Sequence, residues 1–129
     1  MITAASKILY IIGPYRSDSE NGVLHNIMNA YRAMESCWKA GIIPICPHTN
    51  SMFTGGLIPD EEILRGYRKV VSRCDGVILL EGYRESNGSM DELQEAIQHR
   101  LEIWVIDTHG SPVRLDNDQV QLMSGIGRE

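Results

Sequence analysis

Short apolar runs alternating with helix-spaced apolar stripes predict a three-layer α/β domain with a four- to five-stranded parallel sheet. "KILYII" (7–12), "IIPICP" (42–47), "GVILLE" (76–81) and "LEIWVI" (101–106) are continuous apolar runs of strand length, as strands covered on both faces require. The segments between them carry apolar residues at helical intervals. Such alternation pairs the strands in parallel and places helices on both faces of the sheet. A single flavodoxin-like or Rossmann-like domain over residues 1–129 is therefore expected, with its core at about 7–107 and a weakly patterned tail at 108–129.

The first strand is ended by Gly13-Pro14. From about residue 22 to Ala40, Leu24, Ile27, Met28, Tyr31, Met34 and Trp38 fall at helical spacing, and Gly41 supplies a C-terminal stop. Pro44 in the second run points to an edge strand. After a polar, glycine-bearing loop to Pro59, Ile63, Leu64, Tyr67, Val70, Val71 and Cys74 make one helical stripe from Asp60 onward. The third run leads through "GYRESNGSMDE" into a helix with Met90, Leu93 and Ile97 facing inward. Past the fourth run, a short strand is expected at 113–115 and a short helix near 117–123.

A chain of 129 residues buries roughly two-thirds of its unfolded surface, enough for a core without metals or disulfides. The net charge of −5 argues against a nucleic-acid partner, which normally selects a basic patch. Cys37, Cys46 and Cys74 are odd in number, lack CxxC spacing and lie in apolar stretches, which reads as buried thiols in a reducing compartment. The opening "MITAASKILYIIGPY" is too short an apolar run for a signal peptide, and no run reaches the ~18 residues of a membrane span. A cytoplasmic protein that does not engage membranes is the expectation.

In open α/β sheets, ligands bind beyond the C-terminal ends of the strands. The loop after the first strand offers Gly13, Pro14, Tyr15 and Arg16: a glycine permits close backbone approach, and a guanidinium suits phosphate or carboxylate. GxGxxG and GxxxxGK[ST] are both absent, so neither a dinucleotide nor an NTP site of the usual kind is expected, and no cofactor is implied. His48 follows the second strand, as a ligand or proton donor or as a turn-stabilising residue. His48, His109 and Glu81 follow different strands with no supporting motif, so no metal is expected. The loop after the third strand brings Gly82, Ser86, Asn87, Gly88 and Ser89, small groups suited to a sugar.

Glu92 admits two interpretations. Ser89-x-x-Glu92 fits a capping box, in which serine and glutamate each bind the other's backbone amide. Glu92 also stands in what reads as the first turn of a helix aimed at the crevice, where the positive end of the helix dipole favours an ionised carboxylate. A carboxylate so held is a suitable nucleophile.

"YIIGPYR", "PH" and "SNGSMDELQEA", in that order on this α/β pattern, resemble the nucleoside 2-deoxyribosyltransferase superfamily. The likeness is greatest to its short branch, the 2′-deoxynucleoside 5′-phosphate N-hydrolases and small relatives, and covers about residues 7–107. The resemblance implies that Glu92 is the nucleophile attacking C1′ of a (deoxy)ribosyl group. It further implies that Tyr10 assists Glu92, that Ser86 contacts the sugar, and that Gly13 and Arg16 serve the first loop, Arg16 toward a 5′-phosphate. A small-molecule nucleoside or nucleotide partner and a homo-oligomer follow from the same resemblance. One position departs: the family's aspartate for the leaving base, eight residues before its strand-three aspartate (here Asp75), is Tyr67. Proton delivery then falls to Tyr67, Glu62 or His48, or the domain binds nucleotides without turnover, as a sensor would. Asp75, at a strand's start, is expected to be structural. The apolar tail residues Val120, Leu122, Met123 and Ile126 suggest a partner surface.

Overall fold

The computed structural model describes residues 1–50 and 56–126, with side chains to Met123. The strands are β1 (Ile8–Ile12), β2 (Ile43–Ile45), β3 (Gly76–Leu79), β4 (Glu102–Ile106) and β5 (Pro112–Arg114). The helices are α1 (Glu20–Lys39), α2 (Pro47–Asn50), α3 (Asp60–Arg73), α4 (Asn87–Gln98) and α5 (Asn117–Ile126). The strands form one sheet in the order β2-β1-β3-β4-β5. The first four pair in parallel, Leu9 opposite both Pro44 and Gly76, and Gly76 opposite Glu102. The predicted α/β class is the observed one, with five strands and helices on both faces.

β5 pairs antiparallel with β4. The connection explains why: Asp107 Oδ1 accepts from the amides of His109 (2.8 Å) and Ser111 (2.9 Å), closing a tight turn, and a link that short can join only antiparallel neighbours. β2 and β5 are the edges, and each contains a proline, Pro44 and Pro112. The amide of Ile43 donates to Lys7. Alternation then turns the Pro44 nitrogen away from β1, where its missing N–H removes no ladder bond.

The side chains of β1 and β3 sort by period two. Leu9, Ile11, Ile78 and Leu80 meet Ala30, Ala33 and Cys37 of α1 on one face. Tyr10, Ile12, Val77 and Leu79 meet Val71, Leu93 and Ala96 of α3 and α4 on the other. β1 leads toward β2 on one side while the chain returns to β3 on the other, so the switch in direction falls between β1 and β3. That is where such sheets hold ligands.

Ser19 starts α1, its Oγ accepting from the Gly22 amide at 3.0 Å, and Gly41 at φ +77° ends it. The face that α1 turns to the sheet is not the one with its bulkiest apolar residues. Ile27, Ala30, Ala33 and Cys37 are buried, whereas Leu24 is 56% and Trp38 48% exposed, with Met28 and Tyr31 also exposed. Small residues let the helix axis lie close to the sheet, which rotates the bulkier apolar residues outward. Leu64 of α3, expected inside, is likewise exposed. In the tail, Val120 and Met123 are partly buried and pack on this chain's own core. Leu122 is exposed, and the Ile126 side chain lies outside the described residues. Among the described residues no helix is long and apolar enough to cross a membrane.

Candidate active site around Tyr10 and Glu92

Tyr10 occupies the centre of β1, where it is buried and faces α3 and α4. Its hydroxyl donates to Glu92 Oε2 at 2.6 Å, a length typical of a bond to an ionised acceptor. Gly82, in the left-handed region at φ +86°, opens the segment that carries Glu92, and a single helical turn over Tyr83–Glu85 follows. Ser86 then caps α4, its Oγ accepting from the Ser89 amide at 3.2 Å.

This arrangement corrects the sequence reading in two respects. The cap is Ser86, so Ser89 is the third helical residue and Glu92 the sixth, and the Ser89–Glu92 capping box does not form. A reciprocal box does form elsewhere, between Asp116 and Gln119 at the start of α5, with two bonds of 2.8 Å. Beyond the first turn the helix dipole has little hold on Glu92. Burial dominates and pushes its carboxyl up to about 7, against the Tyr10 hydrogen bond and the charge of Arg68 and aided by Asp91. The Tyr10 hydroxyl is likewise pushed up, by burial first and by Glu92 second. Near neutral pH the pair therefore holds a carboxyl divided between its two forms, beside a phenol that keeps its proton.

Tyr67 completes the cluster. Its ring stands edge-on to Tyr10 with centroids 6.1 Å apart, and its hydroxyl accepts from Asn50 Nδ2 at 3.0 Å. Sequence reasoning missed Asn50. It closes the short α2 directly after the second strand, so the strand-end rule that selected His48 covers it too.

His48 is tied to the first loop. It is 4% exposed, and its Nε2–H reaches the carbonyls of Gly13 and Pro14, each at 3.1 Å. Both partners are acceptors, so Nε2 carries the proton and Nδ1 is a bare lone pair with no partner among the described residues. Burial holds this imidazole below its ordinary range, against the two carbonyl bonds. His48 thus clips the second strand's end to the first loop, with the Tyr15 ring tilted against it at 5.9 Å.

The other candidates separate. Arg16 pairs with Asp60 at the start of α3, both largely exposed. Gly13 is required by packing, because a Cβ there would stand 2.6 Å from Leu80. Around Gly88 a Cβ would meet nothing within 4 Å. Ser89 is buried, with no partner for its hydroxyl among the described residues. Glu62 turns to Arg65 at 3.0 Å on the exposed surface. Asp75 ties the strand starts together, accepting from the Ile8 amide at 2.7 Å. An open groove of about 530 Å³ is lined by Arg68 of α3, by Arg84, and by Met90, Asp91, Gln94 and Glu95 of α4; neither Tyr10 nor Glu92 lines it. No group of three His, Cys, Asp or Glu among the described residues could hold a metal ion.

The chain matches the family described as a domain of unknown function (DUF7768) over residues 7–106. It belongs to that family. The matched span runs from the approach to β1 to the end of β4, and so includes every member of the Tyr10, Asn50, Tyr67 and Glu92 cluster. No curated protein matches the chain.

Proposed function

We propose that this DUF7768 protein is an N-glycosidase or deoxyribosyltransferase-like enzyme that cleaves the N-glycosidic bond of a nucleoside or nucleoside 5′-monophosphate. The observation that carries the reading is the part-buried 2.6 Å bond from Tyr10 to Glu92 beside the switch point of the sheet. A carboxylate drawn away from water and aimed at a phenol, with no cationic partner in hydrogen-bond contact among the described residues, is a poor structural device. It is a good nucleophile once the crevice holds an electrophilic carbon.

In this mechanism, ionised Glu92 attacks C1′ as the bond to the base breaks, and the developing cation is stabilised by the carboxylate before the sugar–enzyme ester forms. Tyr10 keeps the reacting oxygens oriented. The electron pair of the broken bond goes to the base, which takes a proton from Tyr67. Tyr67 is favoured as donor because His48 spends its N–H on two carbonyls and Glu62 faces Arg65. Water, or a second base, then resolves the ester. The open positions at Gly88 and Arg16 suit the sugar and a 5′-phosphate, Arg16 exchanging Asp60 for the ligand. Three free, buried cysteines support a cytoplasmic setting, and the exposed Leu24, Met28, Tyr31 and Trp38 support a homo-oligomer, which a monomer in sedimentation would contradict.

A panel of nucleosides and nucleoside 5′-monophosphates, followed for free base, tests the reading. Release from at least one, abolished in Glu92→Ala, is the expected result; no release from any would remove it. The tyrosine at 67 favours a second reading, a nucleotide sensor without turnover, which calorimetry would recognise as reversible binding with no product.

A further inference from the structure

We infer that Asn50 is a positioning residue whose side-chain amide holds the Tyr67 hydroxyl so that its proton is delivered to the departing base; the inference rests on the proposed glycosidic cleavage. Three separately anchored segments meet here. Asn50 is fixed at the end of α2 by its own amide, which donates to the Cys46 carbonyl at 3.0 Å. Tyr67 projects from the middle of α3 and packs on the core shared with Tyr10. Glu92 comes from α4 and reaches Tyr10.

The direction of the Asn50–Tyr67 bond is the informative part. Asn50 Nδ2–H donates and the phenol oxygen accepts, at 3.0 Å. The hydroxyl proton is thereby turned away from Asn50. An N–H donor on a phenol oxygen also stabilises the charge that develops there as the bond to the base breaks.

The step balances. As Glu92 Oε forms its bond to C1′, the C1′–N bond breaks and its electron pair stays on the base nitrogen. The Tyr67 proton moves to the base, leaving a phenolate held by Asn50. Water then attacks C1′, its proton returns to the Tyr67 oxygen, and Glu92 leaves as the carboxylate.

Two substrates separate this role from a merely structural one. An ordinary purine 2′-deoxynucleoside 5′-monophosphate needs a proton on its leaving base; the N7-methylated purine analogue departs neutral without one. Asn50→Ala is expected to lower kcat on the first by roughly 10- to 100-fold, with KM little changed, and on the second by less than about 3-fold. Asn50→Asp, of the same size but acceptor only, should trap the Tyr67 proton and show the same substrate contrast. Asn50→Ala in a Tyr67→Phe background should add no further loss. Equal losses on both substrates, or none on either, in a variant that retains its melting temperature would overturn the inference while leaving the glycosidase reading standing. A parent enzyme that releases neither base would remove that reading, and this inference with it.

Discussion

Two half-buried glutamates, one on each side of the sheet's length, are driven in opposite directions. Glu102, at the start of β4, is opposed by burial too, yet the Lys7 ammonium at 2.8 Å, the Trp104 indole N–H at 3.0 Å and Arg114 at 3.5 Å outweigh it and hold the carboxyl below its ordinary range. Glu92 has a phenol in contact and Arg68 only at a distance, and burial wins. The same functional group is thus fully compensated where the fold needs a clasp and under-compensated beside the switch point of the sheet. Uncompensated burial costs stability and marks positions retained for another reason.

The largest test of this contrast is Glu92→Gln. Base release is expected to fall by about 10³-fold or more, since an amide cannot serve as the nucleophile. Stability should move the other way. A carboxyl raised in the folded state favours folding most when protonated, so the parent loses stability as pH climbs from about 4.5 to about 7 and levels off above. The glutamine form avoids that loss, which corresponds to at most about 3 kcal/mol at pH 8. Denaturation of both proteins at pH 5 and pH 8 reads the difference; a glutamine variant less stable at pH 8 would break the comparison. In the active parent the acid limb of the rate profile should rise through about 7.

His48→Ala comes next, at about 2–3 kcal/mol, because two carbonyls lose their donor and a buried ring is removed. The parent's own imidazole is held low, so protonation favours the unfolded chain. The stability it contributes is complete above its ordinary value near 6.5 and declines as pH falls below it. A melting curve for His48→Ala that parallels the parent's from pH 7.5 to 5 would refute this. Glu102→Gln should cost about 1–2 kcal/mol at pH 7, with the deficit shrinking in acid as the parent's own carboxyl is protonated. The smallest effect belongs to Arg68→Gln, which removes a remote positive charge and should displace the acid limb slightly toward alkaline pH, with stability nearly unchanged. A displacement toward acid would contradict the assigned sign.

The strands were legible because each is a continuous apolar run, and Pro44 correctly marked an edge. The facing of α1 was not. Two stripes share that helix, and the one that packs, Ile27, Ala30, Ala33 and Cys37, is written largely in small residues whose apolar signal is weak beside Leu24, Met28, Tyr31 and Trp38. At α4, only Ser89 is followed three residues later by a capping-box glutamate, so spacing pointed to a helix start about one turn too late. Only the Gly82 turn and the helical turn after it place the start at Asn87. Glu92 was identifiable as a candidate carboxylate. Its elevated affinity for a proton was not, since that depends on contacts among β1, α3 and α4. Asn50 escaped notice because its segment reads as a polar loop, where an asparagine has an ordinary local explanation.

Both rims of the sheet carry an imino acid whose nitrogen cannot extend the ladder outward. An incoming strand from another copy would find a gap in the hydrogen-bond comb at Pro44 and again at Pro112. Growth by edge-to-edge addition, the route to fibrous aggregates, is thereby obstructed from either side. Any contact between copies of this chain would then fall to its helix-bearing faces.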